Sequence, residues 1–219
     1  MKSQNVWSER MNQVDALKNL EMAKKRNHKV MITDEAIDKV PRIEYKEIDP
    51  EQYDILQKLV KEVLLISKDD NDSDEVAITY NLDNLNDVGD ERDLIYGVSL
   101  GDEHSVDPEE DTISYHILNG ALQCVVVVLH NHPSMSKLSL QDISFLLMYR
   151  NMKMIIAVTN YGNVYYLVKT RNYDVEKAKE LYKEAYRRYT EVGNLKGYQE
   201  ATNYFLNNCY QAGLLHDNR

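Results

Sequence analysis

His130 and His132 stand two residues apart at the end of the run Cys124-Val125-Val126-Val127-Val128-Leu129. In an extended segment alternate side chains leave the same face, so both imidazoles project together, roughly 7 Å apart along the backbone. Turned inward, their nitrogens reach a single metal ion. Further on, Ser139 and Asp142 stand at i and i+3, just ahead of the apolar run Ile143-Ser144-Phe145-Leu146-Leu147-Met148. That spacing reads as a helix N-terminus, with Ser139 as N-cap and Asp142 as an N3 carboxylate near the positive end of the helix dipole. Capping accounts for the pair but not for its nearness to the histidines. A helix starting directly after a strand end holds its first-turn carboxylate close to that end, so Asp142 is available as a third ligand. Two neutral imidazoles and one carboxylate leave a fourth position open, the arrangement of a catalytic zinc site rather than a structural one.

The elements that position these groups follow from the flanking residues. Six apolar residues, four of them consecutive valines, read as a strand from Cys124 buried on both faces. Pro133 stops it, having no amide hydrogen for a ladder. Upstream, Asp49-Pro50-Glu51 is a helix-start signature, and Tyr53, Leu56, Val60 and Val63 mark one apolar face to about Ser67. A polar loop leads into a strand from Glu75 to Leu82, which pairs with a second at about 93–100. Asp107-Pro108-Glu109 repeats the helix-start signature, with Ile113, Ile117 and Leu118 as the buried side and Gly120 as the end. After the metal-ligand segment come a helix from Ser139 to about Asn151 and a hairpin, Met154–Thr159 and Val164–Lys169, around Asn160-Tyr161-Gly162-Asn163.

Outside this unit, residues 1 to about 28 read as a helix carrying Trp7, Met11, Val14 and Leu17, and 30–48 as irregular or short strand broken by Pro41. Asp174 caps a helix to Val192, and a last helix spans about Leu195 to Ala212. Both are rich in tyrosine, which buries a ring while its hydroxyl stays wet. The division expected is an N-terminal helical extension (1–48), a metal-binding α/β domain (49–172) and a C-terminal two-helix extension (173–219). Packing of the tyrosine-rich helices within the chain is the favoured reading; contact with a partner or second subunit is the other.

His130-Asn131-His132-Pro133 followed by Ser139-Leu140-Gln141-Asp142 resembles the signature of the JAMM metallopeptidases, and His130-Asn131-His132-Pro133-Ser134 is especially close to RadC-type JAB domains. That family also has a glutamate well upstream, opening a strand after the first helix, a position matched by Glu75. Two departures fall in one loop: six residues separate His132 from Ser139, one fewer than the family usually has, and Met135 replaces a glycine of RadC-type sequences. The resemblance spans about 49–171. It implies a JAB/MPN-like (cytidine-deaminase-like) mixed sheet flanked by helices, and Zn2+ on His130, His132 and Asp142 with water in the open position. Zinc brings the pKa of such a water to about 7. Glu75 would be the general base that takes its proton and delivers it to the leaving amine, and the Ser139 hydroxyl would donate to the developing oxyanion. On its own residue type Glu75 reads instead as an exposed acid at a strand start. Glu103, Glu109 and Glu110 rank below it, and His28, His104, His116 and His216 read as surface or helix residues.

Composition sets bounds on these readings. A net charge of −10 argues against nucleic-acid binding through a broad basic face. No apolar stretch approaches the ~20 residues of a membrane span, and Met-Lys-Ser-Gln-Asn-Val-Trp has no signal-peptide core. Cys124 and Cys209 read as buried small hydrophobes in a reducing, cytoplasmic setting. Acidic residues gather at 69–74 and 102–111, read first as solvated loops and alternatively as a rim attracting a basic substrate tail. Three functions therefore compete. The first is a zinc-dependent peptidase or isopeptidase acting on a peptide or protein, including a ubiquitin-like tail. The second is a RadC-like JAB domain in DNA-linked, mobile-element or defence biology. The third is a non-catalytic JAB interaction module working through its tyrosine-rich helices.

Overall fold

The computed structural model describes residues 29–83, 94–189 and 195–218. The helix expected over residues 1 to about 28 and the stretch from 190 to 194 lie outside them. In chain order the elements are α1 (Asp34–Lys39), α2 (Tyr53–Asp70), β1 (Val76–Asn81), β2 (Tyr96–Leu100), α3 (Thr112–Gly120) and β3 (Val126–His132). There follow α4 (Leu140–Met148), β4 (Met152–Thr159), β5 (Val164–Lys169), α5 (Val175–Tyr189), α6 (Leu195–Asn208) and β6 (Leu214–Asn218). The fold is mixed α/β: one six-stranded sheet in the order β2-β1-β3-β4-β5-β6, flanked by helices.

β3 and β4 are the parallel pair, joined through α4, and the other neighbours are antiparallel. A parallel pair needs a crossover, and a helix used for it begins beside the carboxyl end of the first strand. This topology brings the first turn of α4 to the His130–His132 end of β3. Alternation along β3 then assigns its side chains to two layers. Val127 and Leu129, with Val76, Ile78 and Tyr80, pack on α2 through Leu56, Val60 and Val63, and the segment before α2 adds Ile32, Ile43 and Tyr45. Val126 and Val128 face the other way, against Ile143 and Leu146 of α4, Tyr182 of α5 and Phe205 of α6. His130 and His132 share that second face by the same period of two. The tyrosine-rich helices pack within the chain, on α4 and the sheet.

Several sequence expectations are corrected. The valine strand starts at Val126, because Val125 and Val126 both donate to the Asn151 carbonyl and the register shifts between Val126 and Val127. That bulge turns Cys124 out, so it is exposed, with its thiol directed at the Met152 carbonyl, while Cys209 is buried. In α3 the buried positions are Ser114 and Leu118, and Ile113 is 47% exposed. The helix there is capped by Asp111, because Asp107-Pro108-Glu109 opens only a separate 3-10 turn at Pro108–Glu110. Residues 34–39 form a helix, with Thr33 Oγ1 accepting from Ala36 N, acids in the first turn and Lys39 in the last. Six residues are too few to show a helical period. Lastly, β6 pairs with β5 beyond the C-terminal helices, a strand whose Leu-Leu-His-Asp-Asn sequence carries no alternating pattern.

The β4–β5 turn depends on Gly162, which has φ +85° and lies where a Cβ would meet the Ala36 carbonyl oxygen. Gly162→Ala combines backbone strain with that clash, so a loss of more than about 1 kcal/mol is expected. For a chain of this size the melting temperature should fall by at least about 2–4 °C.

Candidate metal centre

The site is assembled at the seam between β3 and α4. His130 Nε2 and His132 Nε2 face each other at 2.9 Å. Asp142 straddles the gap, with Oδ1 3.2 Å from His130 Nε2 and Oδ2 3.6 Å from His132 Nε2. Among the described residues these three form the cluster whose donor atoms all lie within 4.8 Å of one another. Both histidines are buried, and the Asp142 side chain is 12% exposed.

Local structure fixes each donor. Ser139 Oγ accepts from Asp142 N at 3.2 Å, and Asp142 Oδ2 accepts from Ser139 N at 2.5 Å, a reciprocal capping box that orients the carboxylate. The Ser139 oxygen serves the cap as an acceptor, which leaves its O–H to donate elsewhere. His132 Nδ1 lies 2.9 Å from the Ser136 carbonyl. A carbonyl only accepts, so Nδ1 carries the proton, and Nε2 of the neutral ring presents its lone pair to the shared space. The short loop after Pro133 therefore supplies an outer partner to the ligand.

Burial pushes the Asp142 carboxyl up, but His130, then His132 and the Ser139 amide, outweigh it and hold the group well below the usual carboxylate range. A tetrahedral ion with ligands at about 2.0–2.1 Å has ligand–ligand edges of about 3.3 Å. The separations of 2.9, 3.2 and 3.6 Å bracket that value. Donor identity, spacing and outer partner all fit a divalent metal ion held by three protein ligands.

Glu75 lies outside the cluster, one residue before β1 and half-buried. The β1–β3 register ends at Ala77–His130, two residues after Glu75. By alternation Glu75 shares the face of Ala77 and Thr79, which is the histidine face. The acidic loop after β2 adjoins it, since Glu75 N donates to the Asp102 carbonyl and Gly101 N to the Glu75 carbonyl.

Two supporting residues have roles that the sequence reading does not assign. Ser136 acts through its backbone carbonyl. Asn131, fully buried between the histidines, anchors a polar network with Ser67 and Asn160. It stands between the two histidines of the strand, at the position facing away from them. A separate cleft of about 550 Å³, lined by Asp49, Gln52, Asp83, Cys124 and Lys153, opens at the opposite end of β3.

Comparison of the chain with known protein families, curated proteins and solved structures finds no match. Among the described residues no helix is long and apolar enough to cross a membrane.

Proposed function

We propose that this chain is a zinc-dependent hydrolase of the JAMM type, cleaving a peptide or isopeptide bond. The observation that carries the proposal is the convergence of His130 Nε2, His132 Nε2 and the Asp142 carboxylate from a strand end and the helix that follows it. The β3-α4-β4 crossover, with α2 on the other face of the sheet, is consistent with a JAB/MPN-like fold. When bound, the ion supplies Lewis acidity, lowering the pKa of a water to about 7 and polarising a carbonyl. The chain's own residues do the rest. Glu75 takes the proton of the attacking water and returns it to the leaving amine. The Ser139 hydroxyl donates to the oxygen on which negative charge develops. Substrates in this reading are peptide or protein conjugates, including ubiquitin-like tails.

Elemental analysis of the purified chain should find about one zinc per chain. Cleavage of a panel of ubiquitin-like fusions should stop with chelator and return with Zn2+. A chain that holds no metal and cleaves nothing would sink the proposal. A DNA-binding assay run alongside addresses the RadC-like reading, which the His130–Ser134 residues favour and the net charge opposes.

Ser139→Ala separates the two jobs of that hydroxyl. Loss of the cap should cost about 1 kcal/mol of stability, read as a small fall in melting temperature. Loss of the oxyanion donor should lower the rate by about 10²–10³, with zinc still bound. A variant with the stability loss alone would make Ser139 a cap and nothing more.

A further inference from the structure

The peptide units on either side of Glu75 are both held by one side chain. The backbone ladder between β1 and β3 runs from Asn81–Val126 to Ala77–His130 and ends there. At the next position the acceptor for Val76 N–H is the side-chain Oδ1 of Asn131, at 2.7 Å. The other end of the same amide, Nδ2, reaches the Asp74 carbonyl at 3.1 Å and, at 3.0 Å, Ser67 Oγ, which itself donates to that carbonyl. Asn131 thus fixes the peptide plane before Glu75 and the plane after it, and with them the two backbone torsions that aim the Glu75 side chain. The remaining groups of those planes are met from the β2 side, by the Asp102 carbonyl and Gly101 N–H. Asn71 Nδ2 adds a bond to the Glu75 carbonyl at 3.0 Å.

The amide is itself locked. Its two Nδ2 protons are shared among Asn160 Oδ1 at 2.9 Å, Ser67 Oγ and the Asp74 carbonyl, and Ser67 Oγ donates to that carbonyl at 2.6 Å, so the plane before Glu75 is held directly or through Ser67. Asn160 in turn donates to the carbonyls of Val30 and Ser73. A buried, fully partnered network of this kind specifies one geometry. Its place matters as much as its bonds. Residue 131 alternates with the histidines, so its side chain lies on the α2 face, across the sheet from His130, His132 and Asp142.

We infer that Asn131 is a positioning residue for the catalytic base, acting through the backbone of Glu75 and not through the metal ligands. The inference rests on the hydrolase reading for its kinetic consequence, but its structural core is measured without turnover. In full-length Asn131→Ala, amide hydrogen exchange at Val76 should accelerate at least about tenfold while Leu129 in mid-β3 stays protected. Titration with Zn2+ alone should give an affinity within about threefold of the parent, since no ligand or outer partner of the metal is touched. With a cleavable fusion, kcat should fall about 10–100-fold with KM little changed, a loss confined to an interaction made in the transition state. In a Glu75→Gln background the same substitution should cause no further loss, because it acts through the group already removed.

Unchanged Val76 protection, zinc affinity falling in step with kcat, or additive losses in the double variant would each overturn the assignment. Should Asn131→Ala fail to fold, Ser67→Ala takes its place. It removes the hydroxyl between Nδ2 and the Asp74 carbonyl, so faster exchange at Val76 with intact zinc affinity is required, and its absence overturns the assignment. A parent chain with no zinc and no cleavage defeats the hydrolase reading instead, while the exchange data still decide whether Asn131 locks Glu75.

Discussion

Asp142→Asn is expected to abolish tight metal binding while leaving the fold in place. The side chain has two partners of different kinds, the Ser139 amide and the shared space between the imidazoles. An asparagine keeps an oxygen for the amide and so preserves the helix start, but it removes the negative charge. Outer partners of metal ligands are worth 10–100-fold in affinity, so loss of the anionic ligand itself should exceed about 100-fold. The measurement is thermal unfolding with and without zinc. At zinc 100-fold above its dissociation constant the parent gains about 2.7 kcal/mol, or about 5–10 °C in a chain of this size. At the same zinc concentration the variant should gain under about 0.5 kcal/mol, a shift of a degree or two. An equal zinc-induced shift in both proteins would remove Asp142 from the ligand set.

The legible part of this site was the part carried by side-chain type and short spacing. His130 and His132 at i, i+2 required only the period of a strand, and Ser139 with Asp142 at i, i+3 required only the geometry of a helix start. The capping box is present as read, and it holds the same carboxylate that meets the imidazoles. Strands β1, β4 and β5 and helix α2 were visible because each presents several periods of apolar residues. What stayed hidden depends on backbone or on distant partners. The bulge that exposes Cys124 arises from one carbonyl, that of Asn151, accepting two amides. Ser136 contributes a carbonyl that any residue could supply. β6 forms because β5 offers an edge, not because Leu214–Asn218 favours extension by itself. Asn131 was visible as part of a motif but not in its action, since that requires knowing the register that places Asp74 and Val76 opposite it.

Glu75→Gln should leave zinc affinity unchanged and lower turnover by about 10²–10⁴, the range typical of a lost general base. Residue 75 lies two positions before Ala77, which pairs with His130, so alternation puts it on the histidine face but outside the ligand cluster, where a base must lie if it is to exchange protons without occupying the ion. Glutamine keeps the shape and the backbone bonds to Asp102 and Gly101, so KM and melting temperature should move little. The competing acids give the control. Glu109 lies against the Tyr149 hydroxyl, whose titration is raised by burial first and by that carboxylate second, so Glu109 already has a partner. Glu103 belongs to the loop that adjoins Glu75, and with Glu75 as the base Glu103→Gln should change kcat by less than about threefold. If Glu103→Gln is the inactive variant and Glu75→Gln cleaves at the parental rate, the base belongs to the loop after β2 and not to the start of β1. The two variants thus discriminate between a proton carrier locked in the sheet by Asn131 and one carried on an acidic loop.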